Sequence, residues 1–257
     1  MLFEREGTGV ELGPTLRKLV TAARFNPSLP YLSFLCINFD APVIKEAASW
    51  FLDGVFLNYN SSYLEQMVEQ LLDEDDSLEI TRFLRAVDVR IDGFRVEKAP
   101  EWRGQRVFVK HEVDGKGYEL RLSEESAGTQ KLMGLASFLL AALERGGTVV
   151  VDELDAKLHP KLLRYVILLF KDPEVNKSGA QLIFSSQDVS TMRNDVFRRD
   201  EIWFAARGEG EASQLWSLAD IHEANGNLVS KNAAFDKQYL SGRYGADPYL
   251  TRIEEWD

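Results

Sequence analysis

Apolar positions recur along this chain with two periods, and the passage from one to the other orders the reading. Between residues 14 and 87 the spacing is helical. Pro14 suits the first turn of a helix over 15–24, which Asn26-Pro27 and Leu29-Pro30 break. Pro42 opens another, running to about residue 57 with Val43, Ala47, Trp50, Phe51 and Val55 on one face. Ser61-Ser62 can cap a third over 63–72, and the acidic turn 73–76 separates it from a fourth over 78–87. The apolar run 31–39 fits helix or strand. Period two takes over at 87–98, 106–112 and 117–122, with Asp114-Gly115 as a hairpin turn, and these read as antiparallel strands. Residues 1–13 also alternate, punctuated by glycine, and read as strands of a small hairpin or a cut end.

Helical period returns over 130–143, a Gly146-Gly147 break follows, and residues 148–151 are all β-branched. Strands buried in parallel sheets are apolar on both faces, and 148–151 has that character. A helix over 162–170, a buried strand over 180–185 and a hairpin of 201–206 with 213–218 complete the pattern. Helices alternating with apolar strands make the fold class α/β. Two divisions follow: 1–87, the end of a β segment plus a mainly helical insertion at about 14–87, and 88–257, the lobe that carries the chemistry.

The chain has 257 residues, enough for one large domain or two small ones, and its 45% hydrophobic and 28% charged residues exclude global disorder. A formal charge of −11 argues against a surface that coats nucleic acid generally, while a local basic patch, and with it DNA, stays open. The single cysteine, Cys36, excludes an intramolecular disulfide and sits in an apolar run as a small buried hydrophobe. No basic n-region with an apolar h-region opens the chain, and no apolar run reaches spanning length, so the expected location is the cytoplasm, away from membranes.

The chemistry concentrates in 122–160. Ser126-Ala127-Gly128-Thr129 at a helix start offers small side chains, hydroxyls and unpaired backbone N–H groups, which suit a phosphate. Asp152 and Glu153 follow the apolar strand, at the strand end where ligands collect in open α/β sheets. There Asp152 can help hold Mg²⁺ and Glu153 can orient or deprotonate a water. Asp155 and His159-Pro160 come next. Singly, each of these signals also fits a plain helix cap or strand-end turn; their order and spacing carry the weight. His111, His159 and His222 are scattered and make no metal or nuclease motif, and the acidic run 73–76 reads as a solvated turn.

The whole string resembles the nucleotide-binding half of ABC-type ATPases: a signature turn (ESAGTQ), its helix, a Walker B strand (TVVVDE) and a D-loop (LDAKLHP). ESAGT with DELDAKLHP is similar to the AAA15/AAA21 group of bacterial ATPases, relatives of the overcoming-lysogenization and abortive-infection ATPases, and the likeness extends over nearly the whole chain. It implies a P-loop NTPase-like lobe, ATP and Mg²⁺ as cofactors, hydrolysis of ATP to ADP and phosphate, and a possible place in phage defence with a nuclease partner. It assigns Glu153 as base, Asp152 to Mg²⁺, and Ser126, Gly128, Thr129 and Asp155 to nucleotide contacts. Gln187 stands at the switch position, which is usually histidine; an amide can donate to a phosphate oxygen but cannot become cationic.

One motif is absent. No G-x-x-x-x-G-K-[ST] string occurs in the 257 residues. The resemblance therefore implies the C-terminal portion of such an ATPase, lacking the Walker A segment. On that expectation the chain works as a homodimer or with a Walker A-bearing partner chain, and alone holds ATP poorly. The alternative is a non-catalytic split or truncated subunit that completes a partner's ATP site.

Overall fold

The computed structural model describes residues 2–18, 26–58, 69, 72–98, 105–207, 212–223 and 226–246. Strands β1 (Phe3–Glu6) and β2 (Gly9–Leu12) form the expected hairpin, with Gly7 in the left-handed region at its turn. Helix α1 (Pro14–Arg17) follows, and the rest of the helix expected over 15–24 lies largely outside the described residues. The ambiguous stretch is helix α2 (Tyr31–Asn38), because Tyr31, Phe34 and Leu35 share a helical face and pack on Leu16 and Ile44. Cys36 falls on the opposite face and is exposed, contrary to the buried position expected of it.

Helix α3 (Pro42–Asp53) stops four residues before the expected end. Gly54 caps it, and Val55-Phe56, stiff and bulky side chains, go over to strand β3 (Val55–Asn58) instead. With that break the outer face of α3 stays in solvent: Trp50 and Phe51 are exposed, not part of a buried stripe. The helix expected over 63–72 lies outside the described residues apart from Glu69 and Leu72.

Helix α4 (Ser77–Ala86) buries Ile80, Phe83 and Leu84. The amides of Val87 and Val89 bond back to its last carbonyls, so the following strand begins at Gly93 and not at Val87. Strands β4 (Gly93–Lys98), β5 (Gln105–Val113) and β6 (Lys116–Arg121) form an antiparallel sheet in that order, and Asp114-Gly115, both at positive φ, make its tight turn. Helix α5 (Ala127–Arg145) then leads through Gly146, a left-handed C-cap, into strand β7 (Thr148–Val151). Helix α6 (Pro160–Lys171) and strand β8 (Gln181–Phe184) follow.

Strands β3, β7 and β8 make a parallel sheet in that order, with β7 in the middle. Its core is continuous with the antiparallel sheet. Leu132, Leu135 and Leu139 of α5, Val149 and Val151 of β7, Leu163 and Ile167 of α6, Ile80 and Leu84 of α4, and Val107 and Val109 of β5 form one cluster. Each such side chain contributes roughly 1.5–3 kcal/mol by leaving water, and together they fix where the ends of β7 and α5 stand. The last part, strands β9 (Trp203–Arg207) and β10 (Ser213–Ser217) with helix α7 (Phe235–Leu240), has its own aromatic cluster. There Phe204 stacks on Tyr239 at 5.7 Å, and burial pushes the Tyr244 hydroxyl up to about 12. Among the described residues no helix is long and apolar enough to cross a membrane.

Candidate functional site

Val149 and Val151 are buried to about 1% exposure, and the chain leaves the sheet directly after them, which puts Asp152 and Glu153 at the surface on the carboxyl end of the central strand. The parallel register pairs Val151 with Phe184, so Ser185 arrives beside Asp152. Its hydroxyl accepts from the Glu153 N–H at 2.8 Å and donates to Asp152 Oδ1, while its carbonyl accepts from Leu154 N at 3.0 Å. Ser185 thus holds the Asp152 carboxylate and the backbone of Glu153. Asp152 keeps a carboxylate oxygen that no described residue donates to.

The loop after β7 is held in an uncommon shape. Glu153 (φ 49°) and Lys157 (φ 64°) are both left-handed without being glycine, a conformation that costs about 1–3 kcal/mol and persists only where neighbours impose it. Inside the loop Ala156 N donates to Glu153 O and Leu158 N to Asp155 O, each at 3.0 Å. Asp155 Oδ1 accepts from Gln187 N at 3.2 Å, which joins the loop to the strand-end turn after β8. The Gln187 side chain lies in the exposed part of that turn. His159 caps α6, its Nδ1 accepting from Lys161 N at 3.1 Å, so in the neutral ring the proton sits on Nε2. It is a structural cap.

The turn of Ser126 packs against this loop from the other side. Ser126 is the N-cap of α5: its hydroxyl accepts from Thr129 N at 3.1 Å and lies 2.8 Å from Thr129 Oγ1. Gln130 Nε2 donates to Glu125 O at 2.8 Å and ties down the approach. Gly128 comes so near the loop that a Cβ there would stand 2.9 Å from Lys157 O. One turn on, Lys131, 2% exposed, donates from Nζ to Glu153 O at 2.7 Å and Ala156 O at 2.8 Å.

The expected site residues therefore form two adjoining sets. Asp152, Glu153, Asp155 and Gln187 gather at the ends of β7 and β8, while Ser126, Gly128 and Thr129 gather at the start of α5. Among the described residues no hydrogen bond joins the two sets side chain to side chain; backbone carbonyls of the 153–157 loop join them. Two contributors were not foreseen. Ser185 ends the strand expected over 180–185, and Lys131 lies in the helix expected over 130–143, where it is the sole charged side chain between Ala127 and Leu143.

Among the described residues no group of three or more His, Cys, Asp or Glu gathers as a metal site. A Mg²⁺ ion needs few protein oxygens, since it keeps waters and takes phosphate oxygens as ligands. Asp152, exposed and with one oxygen unengaged, fits that requirement. The described residues also enclose a cleft of about 480 Å³ between His222, Gln238, Arg243 and Tyr244, in the C-terminal part and not at the ends of β7 and β8.

A protein-family model described as "AAA domain, putative AbiEii toxin, Type IV TA system" matches residues 24–193, about two-thirds of the chain. Its span takes in both sets of residues. No curated protein matches the chain.

Proposed function

From the premise that this chain belongs to that AAA domain family, a family of nucleotide-binding ATPase type, we propose that it hydrolyses ATP to ADP and phosphate in an assembly that completes its site. One observation carries the reading. Asp152 and Glu153 stand at the carboxyl end of the central parallel strand, where the serine just after the neighbouring strand holds the Asp152 carboxylate and the Glu153 backbone. Ligands of open α/β sheets collect at that end.

In this reading Asp152 holds Mg²⁺, which supplies charge neutralisation to the phosphates. Glu153 accepts the proton of the attacking water or orients it; such a base contributes about 10²–10⁴-fold in rate. Gln187 donates its side-chain amide toward a phosphate oxygen, and Asp155 positions it through the backbone bond at 3.2 Å. Ser126, Gly128 and Thr129 face the nucleotide of another subunit, with helix-start N–H groups for its γ-phosphate. ATP then lies between two chains, and the working unit is a head-to-tail pair, either two copies or this chain with another. The family description names a toxin–antitoxin setting; a role in phage defence with a nuclease partner belongs to the same proposal.

A second reading has an observation of its own. The 257 residues contain no G-x-x-x-x-G-K-[ST] string, so the backbone nest and lysine that grip β- and γ-phosphates come from outside them. Here the chain is a non-catalytic subunit that lends Ser126, Gly128 and Thr129 to a partner's nucleotide. Asp152→Asn separates the two. If the acids serve a nucleotide of their own, the exchange weakens Mg²⁺-dependent ATP binding by the assembly at least about tenfold, measured by titration with and without Mg²⁺. Binding unchanged by Asp152→Asn and lost with Ser126→Arg assigns the chain to the non-catalytic role.

A further inference from the structure

Lys131 presents a physical puzzle. An ammonium group buried to 2% exposure needs strong partners, because removing it from water is costly. It also sits only five residues past the N-cap of α5, near the positive end of the helix dipole, where a cation is disfavoured. An apolar residue would suit that position better as far as packing goes. Among its partners are two carbonyls of one loop, Glu153 O at 2.7 Å and Ala156 O at 2.8 Å.

We infer that Lys131 is the positioning residue for Glu153, and that it makes the turn Ser126–Thr129 and the loop 153–157 move as one body. The geometry supplies each link. Glu153 is left-handed, and its carbonyl is turned inward onto the ammonium, which fixes the peptide plane next to the acid. The loop's other left-handed residue, Lys157, is met by Gly128 from the same helix turn. Both strained ends of the loop thus rest on α5, one through Lys131 and one through Gly128. Displacement of the helix start is carried to the backbone of Glu153 without a change in the sheet. The consequence for hydrolysis rests on the ATPase reading above: occupancy of the Ser126 turn by one nucleotide sets the aim of Glu153 at another.

Amide hydrogen exchange on the 257-residue chain tests the clamp without any nucleotide. Lys131→Met keeps an unbranched apolar stem, one atom shorter, and removes the donors. Exchange at Leu154, Ala156 and Leu158, whose amides bond within or beside the loop, should rise about tenfold or more, with α5 from 132 to 142 and β7 unchanged. Lys131→Arg, which keeps the charge, should return the loop to within about threefold of the parent. Loop exchange unchanged in a Lys131→Met chain of parental circular dichroism overturns the inference. So does a rise spread evenly over α5, β7 and the loop, which marks a lysine that only supports the fold. Should Lys131→Met fail to fold, Lys131→Gln is read by the same criteria. In the completed ATPase, Lys131→Met should lower kcat with KM unchanged. If the parent assembly shows no turnover, the ATPase reading fails while the exchange result still decides the clamp.

Discussion

Ser185, Lys131 and Gly128 all contact the segment that carries the two acids. Gly128 is the most exposed to test. Alanine there gains about 1 kcal/mol of helix propensity, but the new carbon meets Lys157 O at 2.9 Å, a backbone atom that cannot swing away. Overpacking of this kind costs about 1–3 kcal/mol, so Gly128→Ala should come out destabilised by about 1 kcal/mol in urea unfolding. Gly117→Ala, with no heavy atom within 4 Å of the added carbon, serves as the control and should change by less than about 0.5 kcal/mol. Asp152 and Glu153 could be singled out from the sequence because a four-residue apolar strand ending in acids is a local pattern. Ser185 could not. Its place beside Asp152 depends on the β7–β8 register, which is set by the packing of strands separated by a whole helix. Lys131 left a signal, a lone charge in an apolar run, yet which carbonyls would receive it depends on a loop shape with two left-handed residues. Cys36 was misplaced for a simpler reason: an all-apolar run does not say which face is buried.

Among the elements, strongly patterned segments were legible and their ends less so. Residues 148–151 form the strand expected of them, and the helix expected over 130–143 lies inside Ala127–Arg145. The longer actual helix starts where the Ser126 cap places it. The helix expected to run to residue 57 yields at Gly54 because Val55–Asn58 finds a partner in β7, a tertiary pairing no local period reports. Lys171, at the end of α6, bonds Glu201 at 2.6 Å and so ties that helix to the start of the C-terminal part. Burial pushes the Glu201 carboxyl up. The hydrogen bonds from Lys171 and the Arg198 N–H and the two nearby cations outweigh that, and it ends below its usual 4.5. A depressed carboxyl stabilises the fold above 4.5, and that stability is lost as pH falls through the folded value. Lys171→Met should therefore lower the unfolding free energy measured in urea at neutral pH, by less than about 1 kcal/mol for so solvent-screened a pair, and flatten the acid decline. Equal losses for parent and variant below pH 4.5 would count against the link.

At the scale of the whole molecule, α4, the antiparallel sheet, α5 and the parallel sheet share one core that runs on both sides of residue 87, and β3 from the first part lies in the same sheet as the acids. That shared core sets where the ends of β7 and β8 and the body of α5 stand, and the two sets of expected site residues adjoin across the 153–157 loop. In the proposed reading the chain acts on nucleotide together with a partner. The decisive measurement is phosphate release from Mg²⁺-ATP by the assembly formed when a polypeptide carrying the G-x-x-x-x-G-K-[ST] loop is added, parent beside Glu153→Gln. The account predicts little turnover by the 257-residue chain alone, turnover in the assembly, and a loss of about 10²–10⁴-fold with Glu153→Gln at retained ATP binding. Turnover in the assembly that survives Glu153→Gln would contradict it.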